Sequence, residues 1–117
     1  GPNASELAMT YWCISMCYRK LQQHTESLTH TRRCWELECA NEGLANPGTL
    51  QTAHTLVEEL LAEENETEAN HVVEASLTAV AEATEEDPDR EHWAEKLKLF
   101  QQSVRARILD CDREREK

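Results

Sequence analysis

Residues 87–108 read DPDREHWAEKLKLFQQSVRARI, and this stretch decides the fold class. Asp87 offers a side-chain acceptor to the free N–H groups of a first helical turn, and Pro88 arrives with its φ already suited to that turn. Asp89 and Glu91 complement the positive end of the helix dipole. Trp93, Leu97, Phe100, Val104 and Ile108 then recur every three or four residues as one apolar stripe. With Arg113, Arg115 and Lys117 near the negative end, the pattern predicts a helix over residues 88–114.

Working back toward the N-terminus, Leu50, Ala53, Val57, Leu60 and Leu61 share one face and predict a helix over residues 48–64. Asn46-Pro47 reads as its N-cap and first helical residue, while Gly43 suits the left-handed C-cap of the helix before it. Val72, Val73, Leu77, Val80 and Ala83 predict a further helix over residues 67–85. The polar stretch Glu63 to Glu68 between them is read as a turn, with Asn65 or Thr67 as cap. Ahead of Gly43, Leu7, Ile14, Leu21, Leu28 and Trp35 recur every seven positions, the spacing of a coiled-coil seam, and predict one helix over residues 5–42. Tyr11 and Tyr18 hold the companion position, which passes to Thr25, Arg32 and Cys39 and so narrows the apolar face. Thr25 to Thr31 is rich in β-branched and hydroxyl side chains, weak helix formers, and marks where that helix would bend. No internal repeat of 20 to 50 residues stands out.

These elements predict an all-α domain over residues 3–117, an antiparallel bundle of three long or four shorter helices with short connections. The chain has 117 residues, enough for one hydrophobic core, and only 3 Gly and 3 Pro, which argues against a turn-rich sheet. Gly1-Pro2 reads as the remnant of a cleaved tag. No apolar run approaches the ~20 residues of a membrane-spanning helix. Five cysteines, Cys13, Cys17, Cys34, Cys39 and Cys111, leave an odd thiol, which favours an intracellular, cytoplasmic or nuclear setting over a secreted disulfide framework.

Net charge is −11, and nearly all of it lies between Glu58 and Glu91, where thirteen acidic residues face the single Arg90. That segment would repel a phosphate backbone, so direct nucleic-acid binding is not expected. Cys13 and Cys17, Cys34 and Cys39, with His24 and His30 between the pairs, contain thiols and imidazoles suited to zinc, but neither spacing matches a structural zinc motif. On one straight helix the pairs would also lie far apart. No metal, cofactor or small-molecule substrate is expected. The five histidines show no nucleophile–base spacing, and the motifs G-x-x-x-x-G-K, H-E-x-x-H and G-x-S-x-G are absent, so the expectation is a non-enzyme.

Tyr11, Trp12, Tyr18 and Trp35 make the first helix rich in aromatic residues, more than one helix face can bury. They are the expected partner-binding residues. The sequence therefore predicts a non-catalytic interaction or scaffolding domain of a larger intracellular protein, self-associating or holding a hydrophobic partner through its first helix. Its alternative is an acidic module for a basic partner, such as a histone tail or a Lys/Arg-rich peptide.

Overall fold

The computed structural model describes residues 3–116. Gly1-Pro2, read above as a tag remnant, and Lys117 lie outside them. Five helices follow in order: α1 (Ala4–Lys20), α2 (His24–Glu42), α3 (Pro47–Ala62), α4 (Glu66–Glu82) and α5 (Pro88–Glu116). The fold is all-α, but with five helices in place of the expected three or four.

The difference comes from residues 5–42, which form two helices. α1 ends at Leu21, Gln22 takes a left-handed conformation with φ 60°, and α2 begins at His24. The break precedes the Thr25 to Thr31 stretch expected to bend, which lies inside α2. It is a hydrogen-bonded reversal. The Gln22 N–H donates to the Arg19 carbonyl and the Gln23 N–H to that of Tyr18, so carbonyls orphaned at the helix end are satisfied. The other corners form as the sequence implies. Gly43 has φ 91°, Asn46 accepts from the Gly48 and Thr49 N–H groups, Asn65 from that of Glu68, and Asp87 from those of Asp89 and Arg90.

A 42-residue shift maps the first hairpin, α1–α2, onto the second, α3–α4. Glu64 has φ 58°, and the Glu64 and Asn65 N–H groups donate to the Leu61 and Leu60 carbonyls, matching Gln22 and Gln23 bond for bond. Ala8 and Ser15, buried on α1, correspond to buried Leu50 and Val57 on α3. Ser27, Thr31 and Cys34, buried on α2, correspond to buried Ala69, Val73 and Ser76 on α4. α5 opens a third unit, its Asp87-Pro88 repeating Asn46-Pro47 after 41 residues. The reversal and several buried positions thus recur 42 residues apart, a correspondence hidden in the sequence because the side chains differ.

The hairpins stack side by side, as helix pairs do in solenoid proteins. α1 packs on α2, α2 on α3, α3 on both α4 and α5, and α4 on α5. The result is a slab with principal extents of 54, 38 and 19 Å. α3 lies at its centre and buries residues on most of its circumference. The core joins Leu50, Leu56, Val57 and Leu60 of α3 to Val72 and Val73 of α4 and Leu97 and Val104 of α5. Truncating any of those leucines to alanine would cost about 2–5 kcal/mol. No helix among the described residues is long and apolar enough to cross a membrane.

Candidate interaction groove

α1 packs along its hairpin partner α2 and reaches α3 through the Arg19 guanidinium, 3.7 Å from the Glu58 carboxylate. α3 and α5, in contrast, pack directly, and the His54 ring lies between Trp93 and Phe100 with centroid distances of 5.5 and 4.7 Å. The residue of α3 that corresponds to Trp93 is Thr52, 41 positions earlier. The indole that fills the α3–α5 junction is therefore replaced by a small side chain on the α1 side. A groove of about 340 Å³ opens there between α1, α2 and the start of α3.

The groove has two unlike walls. Ala8, Met9 and Trp12 of α1 give an apolar, aromatic side, with Met9 largely exposed. Glu38, Asn41 and Glu42 of α2 face it, and Asn46, Gln51 and Thr52 continue the polar side. Gly48 lies at the edge, where an added Cβ would come 3.2 Å from the Asn46 side-chain oxygen.

Hydrogen bonds hold the acids in place. Glu38 Oε1 accepts from the Thr52 hydroxyl at 2.5 Å and the Cys34 thiol at 3.1 Å, which ties α2 to α3. Glu42 Oε1 accepts from Asn41 Nδ2 at 2.9 Å and from Ser5 Oγ at 3.4 Å, closing the open end of the hairpin. Among the described residues neither carboxylate is paired with a base, and no Lys, Arg or His lines the groove. Burial pushes the Cys34 thiol up to about 12, with the neighbouring Glu38 acting in the same direction. A thiol held this high is protonated at neutral pH, as its donation to Glu38 requires.

Of the four expected partner-binding residues, only Trp12 lines the groove. Tyr11 and Tyr18 lie against the His30 ring of α2, with centroids 5.8 and 5.3 Å away, so they belong to the hairpin interface. Trp35 packs against the core, and its Nε1 is buried without a hydrogen-bond partner. Glu38, Glu42 and Asn46 were not singled out as binding residues. Only their placement opposite Trp12, which depends on the hairpin reversal at Gln22, draws them together.

A second polar cluster holds α1, α2 and α3 together beyond the groove. Glu59 of α3 accepts from Ser27 Oγ and Thr31 Oγ1 of α2, each at 2.6 Å. Because both of those hydroxyls donate to the carboxylate, the single hydroxyl proton of Ser15 on α1 is shared between Thr31 Oγ1 and the Ser27 carbonyl. The cysteines are dispersed: Cys13, Cys17 and Cys111 are exposed, Cys34 is buried and Cys39 half-buried. Among the described residues no group of three or more His, Cys, Asp or Glu side chains gathers as a metal site.

Compared with protein families, curated proteins and solved structures, the chain matches none.

Proposed function

We propose that this chain is a non-catalytic protein-interaction module whose α1–α2–α3 groove receives a partner segment bearing a lysine or arginine side chain. The observation carrying this reading is the placement of Glu38 and Glu42, with no basic neighbour in the groove among the described residues, opposite the indole of Trp12. A cationic head group would meet the two carboxylates and the Trp12 ring, and its aliphatic stem would lie along Met9. The amides of Asn41, Asn46 and Gln51 offer hydrogen bonds to an extended backbone.

The charge of the whole chain acts in the same sense. Part of the Glu58 to Glu91 acidity is neutralised internally: Arg32 grips Glu68 through two bonds of 2.6 and 2.7 Å, and Arg105 bonds Glu74 at 3.0 Å. The remainder attracts basic segments over longer range and repels phosphate backbones. The partner is accordingly a protein, with no cofactor or small-molecule substrate.

Isothermal titration with a panel of short peptides tests the reading. Lys/Arg-bearing peptides are expected to bind, to weaken as salt rises, and to lose about tenfold or more on Trp12→Ala or Glu42→Gln. Equal binding of neutral analogues, or affinities untouched by both substitutions, would overturn it.

A further inference from the structure

The seven-residue stripe of α1 runs from half-buried Leu7 to exposed Ile14 and Leu21, and so is only partly covered by the rest of the fold. Ala8 and Ser15 lie on α2 and Met9 and Trp12 line the groove, while Ile14 is 37% and Leu21 66% exposed on the outer side. Thr10 and Cys17, also exposed, share this side with Leu7, Ile14 and Leu21. The 42-residue correspondence identifies the face. On α3 its counterparts are covered by α2: Thr52 bonds Glu38, Glu59 bonds Ser27 and Thr31, and Leu56 is fully buried. On α1 the same face is more open, with Thr10, Ile14, Cys17 and Leu21 exposed and Leu7 half-buried, and its Leu7, Ile14 and Leu21 keep a seven-residue spacing.

We infer that this face pairs with α1 of a second copy of the chain, as an antiparallel, two-fold helix pair. Charge selects both the occupant and the direction. Glu6 and Lys20 are exposed and stand one position before Leu7 and Leu21, on the same flank of the seam. An antiparallel two-fold pairing brings Glu6 of each copy to Lys20 of the other, whereas a parallel pairing would place Glu6 opposite Tyr11 and leave both charges without this partner. The seam is also self-complementary, as a two-fold interface requires, with Leu7 near one end, Ile14 central and Leu21 near the other. It lies apart from the groove, so a dimer leaves both grooves open. A single helix pair buries less than the roughly 1,200 Å² of a standard interface, so the dimer is expected to dissociate on dilution through the micromolar range.

The test is light scattering after size exclusion over a concentration series, at low salt, with helicity checked by circular dichroism. The mass should climb from 13.4 kDa toward twice that value. Ile14→Glu, or Leu21→Lys if the first variant loses helicity, should stay monomeric throughout. Lys20→Glu should raise the dissociation constant about 2- to 10-fold, and adding Glu6→Lys should restore it. A wild-type chain monomeric at every concentration, or a dimer indifferent to Ile14→Glu and Leu21→Lys, overturns the inference.

Discussion

Gln22 and Glu64, 42 residues apart, hold the same left-handed backbone conformation, with φ of 60° and 58°. Each is the reversal point of a helical hairpin, followed by a residue whose N–H reaches back five positions to a carbonyl in the last turn. Neither is glycine, so each reversal carries a steric cost of about 1–2 kcal/mol that glycine would not.

Gln22→Gly and Glu64→Gly should therefore stabilise the fold by about 0.5–1 kcal/mol each, the gain being trimmed by the greater freedom of glycine in the unfolded chain. Urea unfolding would measure it, and the two effects should add because the turns belong to separate hairpins. Gln22→Val should destabilise, since a β-branched side chain fits that conformation worst.

Glu59 is the acceptor on which the α1–α2–α3 polar cluster converges. Glu59→Ala removes two charge-assisted hydrogen bonds and leaves the Ser27 and Thr31 hydroxyls without their partner, at a cost of about 2–3 kcal/mol. Combined with Thr31→Val, the loss should fall short of the sum of the single variants by about 1 kcal/mol or more. Additive losses in urea unfolding would mean that the cluster does not act as a unit.

Thiol chemistry should sort the five cysteines. Exposed Cys13, Cys17 and Cys111 should be alkylated first at about pH 8. Burial raises Cys39 to about 11 and Cys34 to about 12, with nearby glutamates adding to the effect. Both should lag by about 100-fold in the folded chain and react with the rest in denaturant. Peptide mass mapping over time reads the order directly.

His54 gives a pH dependence of defined sign. Burial lowers its pKa below the ordinary 6.5, Glu58 opposing and Lys96 adding to the fall. The folded state thus favours the neutral ring, while the unfolded chain takes up a proton as pH drops through that ordinary value. The contribution of His54 is complete above about pH 6.5 and is lost progressively below it. The stability difference between the wild type and His54→Asn should therefore shrink from about pH 8 to about pH 5, followed by urea unfolding at each pH.

Much of the fold was legible in the residues. Asp87-Pro88 and the stripe from Trp93 to Ile108 marked α5, and Gly43 with Asn46-Pro47 marked the corner before α3. The reversal at Leu21–Gln23 was not legible, because it uses neither glycine, asparagine nor proline at the left-handed position. With that turn hidden, Leu7, Ile14 and Leu21 aligned with Leu28 and Trp35 as if on one helix. In the fold the latter two pack against the core while Ile14 and Leu21 point away. The repeat was masked for a related reason. Tyr11, Ser15 and Tyr18 stand where α3 has Ala53, Val57 and Leu60, so inward-facing positions recur while the chemistry does not. The groove was the least legible feature, since it arises from Thr52 being small where Trp93 is large, and only the three-dimensional correspondence makes that comparison.

The central claim is that a basic segment enters the groove beside Trp12. The most direct measurement is a two-dimensional ¹H–¹⁵N titration with a Lys/Arg-bearing peptide, following the three indole N–H signals of Trp12, Trp35 and Trp93. The account predicts that the Trp12 indole and the backbone amides of Glu38, Glu42 and Asn46 shift together and saturate, while the Trp93 indole holds its place. Shifts confined to the Glu63–Glu86 surface, with the Trp12 signal unmoved, would contradict it.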